Sequence, residues 1–346
     1  MKALQQELKA IIAQMQGRKI LVIGDMVADI YLDGRISRIS REAPVLVLEK
    51  AGEKIVAGGA ANVVNNIATL GGEVFAVGLL GDDRSAHGLR KILAANGAHV
   101  EGLISDPERP TISKTRIIAG GRATVSQQIV RIDAESREPM GLSLEEALHD
   151  YIVSILPQIE GVVISDYGSV TVTAGLQDLL ISYCREHHLP SIVDSRYDIG
   201  RFHGIGYVKQ NDAELAAAVG RRLHSTEEIC EAGEELRQKL DADGVLVTRG
   251  ELGMVLIERN GAVHNIPVSD KSEVFDVSGA GDTCVATVIT ALAAGVRPDM
   301  AARLSNIASG IAVRKLGTST VSAAELRKTV DLLQGKEREE HADCTK

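Results

Sequence analysis

The chain has 346 residues, 45% hydrophobic and 25% charged, which suits one large domain or two ordinary ones and is too apolar for a disordered chain. It contains no run of about 18 apolar residues, so no membrane-spanning helix is expected. With 38 basic against 47 acidic residues, a formal net charge of −9 and no Trp, it offers neither the basic surface nor the stacking platforms of a nucleic-acid binder.

At the N-terminus Leu4, Leu8, Ile11, Ile12 and Met15 share one helical face that ends at Gly17. Gln and charged residues interrupt this segment too often for a signal peptide. KILVIG at 19–24 reads as a buried strand. Residues 31–57 and 111–133 alternate apolar and polar positions between turn signals, as half-exposed strands do, with Gly120-Gly121 as a hairpin tip. Further strands are predicted at 73–78, 161–165, 191–194, 205–209 and 244–248. Helices are predicted at 60–70, 85–96, 144–157, 173–188, 212–219, 225–240, 279–294 and 298–314. Residues 253–267 read as a hairpin turning at Asn260-Gly261. The last dozen residues are charged and expected to fray. The four cysteines, Cys184, Cys230, Cys284 and Cys344, are dispersed without metal or disulfide spacing, which fits a reducing cytoplasm.

Strand–helix alternation of this kind predicts an α/β domain with a mostly parallel sheet covered by helices. Its core is expected from 1–30, 58–110 and 134–330, with helix 1–17 peripheral and 331–346 a charged tail. The exposed strands at 31–57 and 111–133 are expected to pair into a small β lid over the carboxyl ends of the sheet, where ligands of open α/β folds bind.

Two segments carry chemistry. In Asp276-Val277-Ser278-Gly279-Ala280-Gly281-Asp282-Thr283, small residues open an apolar helix. Amides at a helix start form an anion site, and a carboxylate at Asp282 would be placed to accept a hydroxyl proton. By itself the segment is equally a glycine-rich turn with an ordinary first-turn charge. In Gly58-Gly59-Ala60-Ala61-Asn62 a helix start is stripped of side chains except for one amide, which suits sugar hydroxyls or a local cap. Asp166 and Asp194 end apolar strands, where a carboxylate either caps the next element or joins a site. Arg35, Arg38, Arg41, Arg116, Arg122 and Arg131 gather in the two lid regions, with Lys114 beside them, where any one of them is otherwise plain surface charge. In an acidic chain such cations suit a phosphorylated ligand. A nicotinamide dehydrogenase would need GxGxxG after the first strand, which here ends Gly24-Asp25-Met26.

Together, the two segments resemble the paired signatures of the ribokinase or PfkB-type carbohydrate kinases. The resemblance implies a ribokinase-like three-layer α/β/α domain with a small β lid, and an ATP-dependent kinase. It implies Asp282 as catalytic base, with Gly279, Ala280 and Gly281 as the anion hole. Asn211 and Glu214 match the family's Asn-x-x-Glu motif, which organises Mg2+ and phosphate. Thr248, Gly250 and Gly253 match a nucleotide loop, and Asn306 falls where the family lines the adenine pocket. Asp29, Gly58, Gly59 and Asn62 fall on the acceptor side, with Gln128, Arg131, Asp166 and Arg196 as further acceptor contacts. K+ dependence and a homodimer formed through the lid are common in the family.

The likeness narrows at GDMVADIYLDGRISRISREAPVLVLE, GGAANVVNNIATLGG, QQIVRID, SDYG and IAVRKLGTSTV. These look like the kinase domain of the bifunctional heptose-7-phosphate kinase and heptose-1-phosphate adenylyltransferases, and like the stand-alone heptose-7-phosphate kinases of lipopolysaccharide core synthesis. That implies D-glycero-β-D-manno-heptose 7-phosphate as acceptor. No His-x-Gly-His motif follows, so only the kinase half is expected. Two departures stand out: Ser169 where the family usually has Lys, and Asp194-Ser195-Arg196 where it tends to have Asp-Pro-Lys, with Arg196 keeping the charge. The alternatives are a kinase of the same family for another sugar, phosphosugar or nucleoside, and a catalytically silent ligand-binding protein of the same fold; the intact GAGD segment argues against the silent one.

Overall fold

The computed structural model describes residues 2–120, 126–268 and 274–343. In chain order its elements are α1 (Lys2–Gln14), β1 (Lys19–Gly24), β2 (Met26–Ile39), β3 (Leu46–Gly59), α2 (Ala60–Leu70), β4 (Glu73–Leu80), α3 (Arg84–Ala95), β5 (His99–Ser105), β6 (Ser113–Gly120), β7 (Gln127–Ala134), α4 (Leu142–Ile155), β8 (Gly161–Asp166), α5 (Ala174–His187), β9 (Ser191–Ser195), β10 (Tyr207–Asn211), α6 (Asp212–Ala218), α7 (Thr226–Leu240), β11 (Gly244–Thr248), β12 (Met254–Glu258), β13 (Val263–Ile266), α8 (Ala280–Ala293), α9 (Pro298–Ala312) and α10 (Ala323–Asp343).

A nine-stranded sheet runs in the order β13-β12-β11-β10-β9-β8-β1-β4-β5. It is parallel except at β12 and β13, where the predicted hairpin turns the chain back. Alternate residues of β1 serve two cores, as the pleat demands. Ile20 and Val22 pack with α1, α2, α8 and α9, whereas Leu21 and Ile23 pack with α4, α5 and α7. Helices therefore cover both faces, giving the expected three layers.

The second sheet is the lid, four strands in the order β3-β2-β6-β7. The β2–β3 ladder runs from Met26 opposite Gly59 to Ile39 opposite Leu46, with register shifts between Asp33 and Gly34 and between Ile36 and Arg38. Its inner end is buried and its outer end exposed, so the strands grow out of the core rather than beginning at 31. Of the expected tip, Gly120 ends β6, while Gly121 and the neighbouring Arg122 lie outside the described residues.

Two elements were not predicted. β5 has a weak pattern, because Glu101 and Gly102 interrupt its apolar residues. α10 continues as a helix to Asp343, where a frayed tail was expected; its Glu, Lys, Arg and Gln are good helix formers. Its first turns bury Leu326 and Val330 against the α1 side of the core.

Candidate active site

A cavity of ≈ 420 Å³ opens where the lid crosses the carboxyl ends of β8, β9 and β10 and the start of α8. The parallel strands deliver Asp166, Asp194, Lys209 and Asn211 to this end. The lid delivers Asp29, Lys114, Arg116 and Arg131, and the α8 segment delivers Gly279, Gly281 and Asp282.

Asp282 is buried in the first turn of α8. Both its oxygens are held: the Asn62 amide donates to Oδ2 at 2.7 Å, and the Tyr167 hydroxyl donates to Oδ1 at 3.0 Å. Burial, with the charge of Asp194 adding to it, pushes the Asp282 carboxyl up to about 6 against the pull of Asn62, Tyr167 and Lys209. That value keeps the group ionised at neutral pH while leaving it basic enough to take a proton. Gly279 makes the arrangement possible. Its φ is 82°, and a Cβ there would lie 2.7 Å from the Asn62 amide nitrogen, so only glycine lets α2 reach across to Asp282.

The expected anion hole needs one correction. The Ala280 amide is turned back onto the Val277 carbonyl at 3.3 Å, closing a turn. Gly279 and Gly281 both line the cavity, and the Gly281 amide lies in the first helical turn, where no intrahelical acceptor exists. Beside it lies Lys209, whose Nζ is close enough that a Cβ on Gly281 would sit 3.0 Å away. Lys209 pairs with Asp194 at 2.9 Å and lies 4.0 Å from Glu214. Burial works against its charge, but those two carboxylates outweigh it and hold the ammonium above the ordinary lysine value. Sequence reasoning missed Lys209, although a lysine inside an apolar parallel strand is an exception that asks for a reason.

Other expected residues occupy different roles. Asn62 does not line the cavity: its amide group donates to Asp282, and its oxygen accepts from Asn66 at 3.2 Å, so it orients a carboxylate instead of facing a sugar. Gly59 is on the wall. Gly58 lies behind it, where a Cβ would meet Asp29 Oδ2 at 2.5 Å. Asp29 is paired with Arg116 and accepts from Thr318 Oγ1 at 2.8 Å. Asp166 lines the wall but is engaged with Ser195 (2.7 Å), Arg201 (3.1 Å) and the Gly168 amide (3.1 Å). Gln128 is exposed on β7 and does not line the cavity: a register shift at Ile129 sets it opposite Ile118, further out along the lid than Arg131, which faces Arg116. Arg131 reaches the cavity but is held by Asp133 at 2.8 and 2.9 Å. Arg35 and Arg38 lie on the exposed end of the lid.

Glu214 and Asn211 form a reciprocal cap at the start of α6, and both face the cavity. Thr248, Gly250, Gly253 and Asn306 lie outside it on the neighbouring side of the sheet. Thr248 is in register with Asn211, and Asn306 donates to the Pro267 carbonyl at 2.6 Å just beyond β13.

A mostly parallel sheet with a buried carboxylate and a glycine-rich helix start at its carboxyl end, under a strand lid, is the architecture of a ribokinase-like kinase. The chain belongs to the pfkB family of carbohydrate kinases, whose family model matches residues 18–325. The bifunctional protein HldE of Geobacter metallireducens is 40% identical over 323 residues, covering 93% of this chain and 65% of that protein. HldE of Geobacter sulfurreducens is 40% identical over 317 residues, with coverage of 91% and 64%. The chain thus spans just under two thirds of the length of these relatives. Among solved structures, phosphofructokinase-2 from Escherichia coli in complex with substrates and products superimposes with a TM-score of 0.72 at 21% identity, over 92% of this chain and 99% of that one. Arabidopsis thaliana ribokinase complexed with ribose and ATP gives 0.69 at 19%, over 92% and 99%. These two establish the fold. A carbohydrate kinase of this family takes ATP and, typically, a divalent metal ion. Among the described residues no helix is long and apolar enough to cross a membrane.

Proposed function

We propose that the chain transfers the γ-phosphoryl group of ATP to the anomeric hydroxyl of a sugar that already carries a phosphate, D-glycero-β-D-manno-heptose 7-phosphate, giving the 1,7-bisphosphate used for lipopolysaccharide core heptose. The observation that carries this reading is how the cavity's charges pair. Arg116 is committed to Asp29, Arg131 to Asp133, and Lys209 to Asp194 and Glu214. Lys114 and Arg196 line the same cavity and make no ion pair with a described carboxylate. Two uncommitted cations in the same cavity as a buried carboxylate suit an acceptor that offers both a hydroxyl and a phosphate dianion. The likeness to the HldE proteins supports the same acceptor.

In this reading Asp282 takes the hydroxyl proton, while the Gly281 amide and the Lys209 ammonium hold charge on the transferring group. Glu214 faces the cavity with carboxylate oxygens, hard donors that fit Mg2+ when substrate phosphates and water supply the rest of its shell. Mg2+, when bound, neutralises charge on the β and γ phosphates. Glu214→Ala should raise the Mg2+ concentration needed for half-maximal turnover several-fold. Glu214→Gln, which keeps the helix cap, controls for lost stability. An unchanged requirement in both removes Glu214 from the metal. K+ enters this reading only through the family likeness.

ADP release from ATP over a panel of sugars and sugar phosphates tests the proposal. Turnover with heptose 7-phosphate is expected. Turnover confined to another phosphosugar or a nucleoside overturns the heptose assignment.

A homodimer through the lid belongs to the same reading. Ile39, Val45, Leu46, Val130 and Ile132 are large, apolar and exposed on the lid strands and the β2–β3 turn, a surface that a second copy would cover. Light scattering at micromolar concentration should give a dimer mass, and Leu46→Glu with Ile132→Glu should give a monomer. A monomeric wild type would overturn the dimer.

A further inference from the structure

Tyr167 touches the reacting carboxylate, yet the chemistry above leaves it without a task. It follows β8 at the carboxyl end of the sheet, half-buried, with its hydroxyl 3.0 Å from Asp282 Oδ1. Its backbone is fixed from below. Asp25, fully buried just past β1, accepts the Tyr167 amide at 2.8 Å and the Ser169 amide at 3.1 Å on the same oxygen, Oδ2. The Asp25 amide in turn donates to the Ser165 carbonyl at 3.1 Å, tying the end of β1 to that of β8. The Lys114 ammonium lies 5.2 Å from the Tyr167 ring centre and closes the lid side.

We propose that Tyr167 is a positioning residue for phosphoryl transfer: anchored through Asp25, its hydroxyl fixes the Asp282 carboxylate so that the remaining lone pairs face the acceptor hydroxyl. This rests on the reading of Asp282 as the base. A carboxylate offers about four acceptor sites. Asn62 occupies one on Oδ2 and Tyr167 one on Oδ1, from opposite sides, so rotation of the group is blocked. The tyrosine acts as a donor throughout, because burial and the neighbouring Asp282 charge hold its proton on far above the ordinary phenol range. Four elements face Asp282: Asn62 from α2, Tyr167 after β8, Asp194 from β9 and Lys209 from β10. Asp194 opposes its ionisation; Asn62, Tyr167 and Lys209 favour it.

The test is the acidic limb of the kcat–pH profile. Tyr167→Phe removes one donor to the charged form, so the limb should move up by roughly one pH unit, with KM for ATP little changed. Site-specific 3-fluorotyrosine at 167, a stronger donor of the same shape, should move it down. A residue that only supports the fold lowers kcat evenly across pH and moves neither limb. An unmoved limb in both variants therefore overturns the proposal. The Asp282→Asn variant separates this failure from that of the underlying reading. Near-normal turnover there removes the base itself, whereas lost turnover there with unmoved limbs in the tyrosine variants removes only the role of Tyr167.

Discussion

Asp282→Asn is expected to keep the fold and ATP binding and to lower turnover by at least about 10²-fold, the lower range for loss of a general base. Asn is isosteric: its oxygen still accepts from the Asn62 amide, while a rotated Tyr167 hydroxyl accepts from the new amide nitrogen. What disappears is the capacity to take the acceptor proton. The wild-type profile should carry the mark of the same group. The carboxyl is raised from 3.8 to about 6, so the base is ionised and active above that value, and turnover falls as the pH drops through it. The variant should have no limb there. Stability should change with the opposite sign. Between 3.8 and 6 the native state binds the proton more tightly than the unfolded chain, so ionising Asp282 costs stability at neutral pH. Asp282→Asn removes that cost, and its Tm at pH 7 should equal or exceed the wild type. Near-normal turnover in this variant would sink the assignment of the base.

The same residues show what a sequence discloses and what it withholds. The place of Asp282 and of the glycines before it is legible because small residues ahead of an apolar run mark a helix start, and Asp282 falls in its first turn. The central strands are legible because a strand buried on both faces must be apolar along its buried length, as Ile20 to Gly24 is after the half-buried Lys19. Asn62 was found but given the wrong partner. Whether an amide at a helix start faces ligand or protein depends on what α8 brings opposite it, and that is a tertiary fact. Gln128 lies outside the cavity because β7 carries it outward along the lid past a register shift at Ile129, and a bulge of that kind leaves no mark in an alternating pattern. Arginines gathered in the lid were visible as a surplus of charge. Which of them are spent on Asp29 and Asp133 is set by strand register, and no composition encodes that. The paired cations therefore drop out of the argument about substrate, and the unpaired ones take their place.

Removing the phosphate from the acceptor is expected to cost about 10²-fold or more in kcat/KM, and the loss should be traceable to Lys114 and Arg196. Each charge-assisted bond to a phosphate is worth roughly 1.5–3 kcal/mol, and about 1.4 kcal/mol is tenfold, so two such contacts suffice. The two cations stand on independent supports. Lys114 comes from β6 of the lid, opposite Asp133 in the β6–β7 ladder, and Arg196 follows β9, its amide bound to the Asp166 carbonyl at 3.1 Å. Selectivity thus requires the lid and the sheet to hold the same anion. Lys114→Met and Arg196→Met should each lower kcat/KM for heptose 7-phosphate by about tenfold or more, with little effect on the unphosphorylated sugar or on KM for ATP. Arg131→Ala should do less, because its guanidinium is already engaged by Asp133. The comparison within one protein is decisive, since a general loss of stability would reduce turnover of both sugars alike. Equal turnover of the phosphorylated and unphosphorylated sugar by the wild type would remove the phosphate-recognition reading and leave the wider assignment of a carbohydrate kinase with another acceptor.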